Sequence, residues 1–294
     1  MAWTAKSPVA IREKIEGRVV AITGGARGIG KATAEQFLAN GAAVAIGDVD
    51  VELAEKTAVE LGARPGATVI GLPLDVTDRT SFETFLDQVA SQLGGLDVLV
   101  NNAGIMPTGM LIDETDAMTD RMLDINLRGV ITGCKIAGQR FASRRAGTIV
   151  NIASLAGMTA EAGIATYCGT KHAVVGFTEA LRRELLGSGV NVTAVLPGIV
   201  RTELSAGANV PGWAEKMTTV DPEDVARTVV TAVVSDKGRL TVPTSLTATI
   251  KFMSLLPERA RYAFARVTKL DHAFSDADPA QRAKYHCRIV GGDT

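Results

Sequence analysis

The sequence lacks three features, and each absence excludes a class of protein. Its three cysteines, Cys134, Cys168 and Cys287, are scattered, odd in number and without the spacing of metal ligands. Lys and Arg total 31 against 32 Asp and Glu, so the chain has no overall electrostatic attraction to nucleic acid. No apolar run reaches the ~18 residues of a membrane span, and residues 1–17 do not resemble a signal peptide. These absences predict a cytoplasmic protein that binds neither nucleic acid nor a metal ion.

Short apolar segments alternate with helical patterns along most of the chain. Their near-continuous Val, Ile and Leu content is typical of parallel strands covered on both faces. The predicted strands are 19–22, 43–47, 68–72, 96–100, 148–152, 191–196 and 239–242. Repeated strand–helix units predict an α/β fold with a Rossmann-like, doubly wound parallel sheet. We expect a single domain over residues 1–244, followed by a helical C-terminal extension over 245–294.

The glycine-rich run from Thr23 to Gly30 follows the first predicted strand and precedes a predicted helix. Glycines suit a tight turn whose backbone a pyrophosphate approaches closely, and the helix N-terminus then offers N–H donors to the anion. Asp48 ends the next strand, about 20 residues on, where a carboxylate can accept hydrogen bonds from ribose hydroxyls. Together these features predict a dinucleotide site.

Polar residues follow the ends of the later strands as well. Asp75 follows the third strand, Asn101 to Gly104 the fourth, Ser154 the fifth, and Pro197 with Gly198 the sixth. Ligands of open α/β sheets bind outside the carboxyl ends of the strands. We therefore expect the functional residues to gather at this edge.

Tyr167 and Lys171 are one helical turn apart, which places a phenol and an ammonium on one helix face. A tyrosine with an ordinary pKa of about 10 is a poor base at neutral pH. A neighbouring cation lowers that pKa, because it favours the phenolate. The pair is thus a candidate general acid and base for the proton of an alcohol.

In this order and spacing, the motifs resemble those of the short-chain dehydrogenase/reductase family in its common short form. The matching pieces are Thr-Gly-x-x-x-Gly-x-Gly, Asn-Asn-Ala-Gly, Ser154, Tyr-x-x-x-Lys and Pro-Gly, and the resemblance covers roughly residues 17–242. Lys31 stands where the extended branch of the family has its last glycine, which argues against that branch. The resemblance implies a homodimer or homotetramer.

The resemblance also implies roles for individual residues. Tyr167 exchanges the proton of the substrate oxygen, Ser154 hydrogen-bonds that oxygen, Lys171 binds the nicotinamide ribose, and Asn126 anchors a water chain for proton relay. The implied cofactor-binding residues are Gly24, Arg27, Gly28, Ile29, Gly30, Asp48, Asp75, Val76, Asn102, Ala103, Gly104, Tyr167, Lys171, Val200 and Thr202.

Two residues point to different cofactors. Asp48 is placed to bind the 2′-hydroxyl of NAD and to repel the 2′-phosphate of NADP, whereas Arg27 could pair with that phosphate. The residues after Asp48 are Val49 and Asp50, so no second cation stands there. Since a close like-charge contact costs several kcal/mol, we expect NAD to be preferred over NADP.

The segment between Val200 and Val220 corresponds to a substrate lid in the family. It contains apolar residues and no pair of cations, which favours a lipophilic, uncharged secondary alcohol or ketone. Two alternatives remain open: an NADP(H)-dependent carbonyl reductase, and a catalytically silent NAD-binding sensor on the same fold.

The C-terminal extension carries an amphipathic helical pattern with basic flanks. Its apolar stripe consists of Ala260, Ala263, Phe264 and Val267. Five basic residues stand between Lys251 and Lys269, against the single acidic residue Glu258. Such a helix can lie on an anionic membrane surface, but we expect it to pack on its own subunit or a neighbouring one.

Overall fold

The fold is described from a computed structural model, which covers residues 8–268 and 273–290. Two residues of the predicted extension, Lys269 and His272, lie outside the described residues. The side chains of Lys251 and Phe264 also lie outside them.

The core of the fold is a seven-stranded parallel sheet in the order β3-β2-β1-β4-β5-β6-β9. Its strands are β1 (Val19–Thr23), β2 (Ala43–Asp48), β3 (Thr68–Pro73), β4 (Val98–Asn101), β5 (Gly147–Ile152), β6 (Val190–Pro197) and β9 (Arg239–Val242). The strand order reverses between β1 and β4, which creates the crevice where ligands of such sheets bind. The predicted Rossmann-like doubly wound sheet is confirmed.

Helices cover both faces of this sheet and connect its strands. They are α1 (Pro8–Ile15), α2 (Gly28–Ala39), α3 (Val51–Gly62), α4 (Arg79–Leu93), α5 (Asp116–Leu123), α6 (Gly129–Ser143), α7 (Ala165–Glu184), α8 (Gly212–Thr218), α9 (Pro222–Val234), α10 (Leu246–Ser254), α11 (Glu258–Thr268) and α12 (Pro279–Val290). A single π-helical turn, Asp124–Arg128, joins α5 to α6. None of the helices in the described residues is long and apolar enough to cross a membrane.

Successive side chains of β1 enter two different hydrophobic cores. Val20 and Ile22 pack in the core that also contains Phe37 of α2 and Val229 of α9. Val19 and Ala21 pack in the core on the other face, with side chains from α4, α6 and α7. Because every β1 side chain is buried, the strand is apolar throughout rather than alternating with polar residues.

A two-stranded parallel ribbon, which was not predicted, closes the base of the lid segment. Its strands are β7 (Ile199–Val200) and β8 (Thr219–Val220). Two residues per strand are too few to produce a recognisable sequence pattern. The ribbon brings together the two ends of the segment between Val200 and Thr219. This segment therefore leaves the domain and returns to it at one place.

Candidate active site

The turn from β1 to α2 depends on glycines for steric reasons. Gly24 has a φ of +62°, and a Cβ at this position would lie 2.9 Å from the Cα of Ala103. A Cβ on Gly30 would lie 2.3 Å from the carbonyl oxygen of Gly24. The side chain of Arg27, which precedes α2, makes no capping bond to the helix. The backbone therefore forms a close-packed cradle at an uncapped helix N-terminus, the arrangement that binds a pyrophosphate.

The end of β4 is braced against this cradle by Asn102. Its Nδ2 donates to the carbonyl oxygens of Thr23 at 3.0 Å and Gly24 at 2.9 Å. The hydroxyl of Thr23 accepts in return from the backbone N–H groups of Asn102 and Ala103, both at 3.0 Å. The Asn102 side chain thus fixes the turn itself.

Asp48 faces the same turn, whereas Arg27 is paired with a different carboxylate. The Asp48 carboxylate accepts from the backbone N–H groups of Ala26 at 3.1 Å and Asp50 at 3.2 Å. The guanidinium of Arg27 forms an ion pair with Asp50, whose other oxygen accepts from the N–H of Leu53 and caps α3. Two carboxylates and one cation therefore stand beside the glycine-rich turn.

Asp75 and Val76 lie just past the end of β3. The Asp75 carboxylate accepts from the backbone N–H of Thr77 at 2.9 Å and from its hydroxyl at 2.7 Å. Val76 is buried, and a Cβ on Gly129 would approach its side chain to 3.1 Å. The Asp75 carboxylate thus stabilises its own turn, and Val76 forms a fixed apolar surface beside it.

Helix α7 and the end of β5 bring the predicted catalytic side chains together. Tyr167 and Lys171 are both buried on α7, with the Lys171 Nζ 5.5 Å from the centroid of the Tyr167 ring. Nζ also donates to the carbonyl oxygen of Ile152, the last residue of β5, at 3.0 Å. Ser154, two residues further on, lies beside the Tyr167 hydroxyl. Its Oγ accepts from the N–H of Ala156 at 3.1 Å.

Asn126 is fully buried in the π-helical turn, and its side chain bonds to protein atoms. Its Oδ1 accepts from the N–H of Ile105 at 2.8 Å, and its Nδ2 donates to the Ile105 carbonyl oxygen at 2.8 Å. The same Nδ2 also donates to the Thr170 hydroxyl at 3.3 Å. A Cβ on Gly104 would lie 3.2 Å from this Oδ1 and 3.7 Å from the Lys171 Nζ. Asn126 therefore connects the segment after β4 to α7, close to Lys171. In proteins generally, single π-helical turns are frequent at functional sites.

Burial controls the ionisation of the Tyr167–Lys171 pair. It raises the pKa of Tyr167 well above the ordinary phenol value, and the hydrogen bond from Ser154 opposes that rise. Burial also lowers the pKa of Lys171 to about 8. The phenol is consequently neutral in this structure. The lowering of the Tyr167 pKa by a neighbouring cation remains a prediction.

The residues after the Pro-Gly pair lie against the glycine-rich turn. Val200 is buried, and its carbonyl oxygen accepts from the N–H of Thr202 at 2.7 Å. A Cβ on Gly28 would lie 3.5 Å from the Thr202 Cγ2. The beginning of the lid therefore borders the cofactor cradle directly.

The C-terminal helix α12 reaches the same region, which the sequence motifs did not reveal. Arg282 is 2% exposed and donates to the carbonyl oxygens of Leu204 at 3.2 Å, Ala206 at 2.9 Å and Met106 at 2.6 Å. The hydroxyl of Tyr285 accepts from the N–H of Met106 at 2.7 Å. One cation thus links the lid to the segment that follows β4.

An apolar cluster joins the lid and the extension to Tyr167. Tyr167 is buried in this cluster with Ala273 and Phe274, which precede α12, and Leu204 from the lid packs against it. The backbone of Ser275 lies so close to Gly163 that a Cβ there would approach its nitrogen to 2.6 Å. The extension therefore packs over Tyr167.

Other candidate groups have ordinary structural roles. Burial raises the pKa of the Cys168 thiol, which stays protonated next to Tyr167. His172 is exposed, and its Nδ1 is 2.9 Å from the carbonyl oxygen of Cys168. Across residues 8–268 and 273–290, no three His, Cys, Asp or Glu side chains form a group that could hold a metal ion.

The sheet, the glycine cradle and the group formed by Ser154 and the buried Tyr167 and Lys171 together define an oxidoreductase of the nicotinamide-dinucleotide class. Residues 18–211 match the family described as short chain dehydrogenase. The chain belongs to the short-chain dehydrogenase/reductase family, as the motifs suggested.

Curated relatives and a solved structure agree with this assignment. The chain is 34% identical over 262 residues to "Probable oxidoreductase EphD" of Mycobacterium tuberculosis, covering 83% of this chain and 44% of that protein. It therefore spans less than half the length of that relative. It is also 39% identical over 191 residues to a sorbitol dehydrogenase of Cereibacter sphaeroides, covering 65% of this chain and 73% of the relative.

One structural neighbour is a short-chain dehydrogenase/reductase from Burkholderia phymatum, solved in complex with NAD. It superimposes with a TM-score of 0.73 at 26% sequence identity, covering 81% of this chain and 93% of the neighbour. The similarity supports a nicotinamide cofactor and does not by itself distinguish NAD from NADP.

Proposed function

We propose that this protein transfers a hydride between NAD(H) and a secondary alcohol or ketone, and that its substrate is lipophilic and uncharged. The observation that carries the proposal is the convergence of Ser154 and Lys171 on the buried phenol of Tyr167. The apolar cluster around this phenol, with Phe274 and Leu204, supports an apolar substrate.

The residues of the cradle fit a dinucleotide. The Cβ positions of Gly24 and Gly30 are occupied by protein backbone, which keeps the turn tight, and no Arg27 side-chain bond caps the N-terminus of α2 beside it. When bound, the nicotinamide supplies the hydride donor or acceptor, which amino-acid side chains cannot. Asp48 and the N-terminus of α2 would hold the adenosine ribose and the pyrophosphate, and Lys171 the nicotinamide ribose.

The catalytic side chains have defined tasks in this proposal. The Tyr167 hydroxyl gives a proton to the substrate oxygen in reduction and takes it back in oxidation. The Ser154 Oγ accepts from the N–H of Ala156, so its single hydrogen can be donated either to the Tyr167 hydroxyl or, when substrate is bound, to the substrate oxygen. The Lys171 ammonium donates one N–H to the carbonyl oxygen of Ile152 and places its charge beside the Tyr167 phenol. A cation at this position favours the phenolate.

Replacing the catalytic phenol tests the proposal. In Tyr167→Phe we expect turnover of lipophilic secondary alcohols with NAD to fall by about 10³, the range of a lost general acid or base. NADH affinity, measured by fluorescence titration, should stay within about twofold, because the cradle is unchanged. Full turnover in the variant would contradict the role of Tyr167. NADH binding by a wild-type protein that oxidises none of a broad panel of alcohols would favour the silent sensor.

The preference for NAD rests on the charges beside the glycine-rich turn. Arg27 is already paired with Asp50, and Asp48 would lie next to a 2′-phosphate without a free cation to offset the repulsion. We expect Asp48→Ala to improve NADPH affinity relative to NADH by at least tenfold, in parallel titrations with both cofactors. An unchanged ratio, or tighter NADPH binding by the wild type, would favour the NADP(H)-dependent reductase.

A further inference from the structure

Three residues of the apolar stripe of α11 have described side chains, and all three face solvent. The sequence led us to expect this stripe on protein, yet Ala260 and Ala263 are exposed and the Val267 side chain is 83% exposed. The half-buried positions of the helix, Ala265 and Thr268, lie on another side at 3.6 residues per turn. A helix of a soluble domain normally buries its apolar side and exposes its polar one, so α11 has the reverse orientation.

More apolar side chains are exposed just before α11. Leu255, which ends α10, is 82% exposed, and Phe252 in the last turn of α10 is 64% exposed. Tyr262 of α11 is 66% exposed. Single exposed apolar residues are ordinary, but four large ones within sixteen residues form the kind of patch that marks an interaction surface.

Unpaired arginines flank the stripe on both sides. Arg259 and Arg266, seven residues apart, lie along one edge, and Arg261 lies along the other. All three are exposed, and none forms an ion pair with a described residue, although fifteen ion pairs occur elsewhere in that part of the chain. Glu258 is the helix's acidic residue, so α11 carries a net charge of +2 (three Arg minus one Glu).

We propose that α11, together with Phe252 and Leu255, docks on an anionic membrane surface. An apolar stripe enters the boundary between headgroups and acyl chains, while flanking arginines extend to the lipid phosphates. Binding to a second protein copy would also bury the stripe. If α11 packed on α11 of the other copy, two helices that each carry a net charge of +2 would face each other. The charge therefore favours lipid.

Docking of α11 would also bring the candidate active site to the membrane. The chain runs from α11 to Ala273 and Phe274, which pack with Tyr167, and then to α12, which holds the lid through Arg282. The same extension thus carries both the exposed stripe of α11 and the apolar residues Ala273 and Phe274 beside Tyr167, which we call the substrate wall. A lipophilic substrate would reach this wall from the bilayer.

Vesicle cosedimentation of the full chain tests the surface. We expect binding to vesicles of phosphatidylglycerol and phosphatidylcholine, at least tenfold weaker binding to pure phosphatidylcholine, and loss of the difference in 0.5 M salt, where charges are screened. Leu255→Asp/Val267→Asp should abolish binding, and Arg259→Gln/Arg261→Gln/Arg266→Gln should weaken it at least tenfold. Val59→Asp, at a 75%-exposed valine of α3, is the matched control and should bind like the wild type.

Two results would overturn the membrane assignment. One is wild-type protein that binds neither kind of vesicle. The other is a smaller oligomer size of the Leu255→Asp/Val267→Asp variant in light scattering, with unchanged vesicle binding. That result would show that the stripe is an interface between copies of the chain. NADH titration of each variant checks that the fold is intact. Because this readout does not involve lipid, failure of the membrane assignment would leave the proposed dehydrogenase activity standing.

Discussion

The cofactor side and the substrate side of the candidate site are fixed by different means. On the cofactor side, backbone atoms pack directly on backbone atoms, as at Gly24 against Ala103. On the substrate side, the backbone of Ser275 also packs on Gly163, but long side chains from α12 hold the loops as well, as Arg282 holds Leu204, Ala206 and Met106. Backbone packing leaves few alternatives to glycine, whereas side-chain contacts can be replaced one at a time. The first region should therefore tolerate little substitution, and the second should tolerate more.

The largest effect is expected from adding one methyl group to the cradle. Gly30→Ala would place a Cβ 2.3 Å from the Gly24 carbonyl oxygen and 2.7 Å from the Gly25 Cα, and neither backbone atom can move without deforming the turn. We expect NADH affinity to fall by at least a hundredfold in a fluorescence titration. Gly176→Ala in α7 is the matched control, because a Cβ there meets no atom within 4 Å. It should keep its affinity and gain up to ~1 kcal/mol in stability. Equal affinities would contradict the steric argument.

Lys171 stands where the two sides meet, and its burial predicts a pH-dependent stability. Its pKa of about 8 in the folded protein lies below the ~10.4 of an exposed lysine. Between these values the unfolded chain binds more protons, so wild-type stability rises with pH through that window. Measured against Lys171→Met by denaturant unfolding, the wild type should gain ~2 kcal/mol between pH 7 and pH 10.

The control for this experiment is Lys135→Met, which removes an exposed lysine from α6. Its stability should follow the wild type at every pH. If the free energy of unfolding of Lys171→Met also changed with pH in parallel with that of the wild type, the Lys171 ammonium would not be buried as it is in the structure.

A smaller effect is expected on the substrate side. Arg282→Met leaves three carbonyl oxygens in two loops without their donor, which should loosen the lid while the cradle stays intact. We expect KM for the alcohol to rise about tenfold, the equivalent of one lost hydrogen bond of ~1.4 kcal/mol, with NADH affinity unchanged. Cys287→Ser is the control, since Cys287 lies on the same helix but is exposed. A fall in NADH affinity in Arg282→Met would mean that the two sides are not independent.

The difference between local packing and long-range side-chain contacts also explains how much of the fold and of the site could be predicted from the sequence. The seven strands of the sheet and the residues at their ends follow from local patterns, and the β2 and β9 boundaries differ by one residue at most. The predicted fourth strand began at Leu96, but β4 begins at Val98. The Asp97 carboxylate accepts from the N–H of Val19 at 2.9 Å, so Asp97 joins the two strands through its side chain.

Other features depend on contacts that no local pattern records. The bond from Arg282 to Met106 spans 176 residues, and Tyr285 reaches the same residue across 179. Neither residue belongs to a motif, so their position at the site could not be read from spacing. The π-helical turn around Asn126 was not predicted either.

The β7–β8 ribbon has a consequence for how this enzyme family can diversify. The ribbon fixes both ends of the segment between Val200 and Thr219, and Gly198 packs so tightly below it that a Cβ would lie 2.3 Å from the Thr218 carbonyl oxygen. Insertions between these ends leave the sheet register untouched, and doubling the length of a loop costs only ~0.6 kcal/mol in closure entropy. Grafting lids of different length between β7 and β8 is therefore a practical route to new substrate ranges on the same catalytic frame.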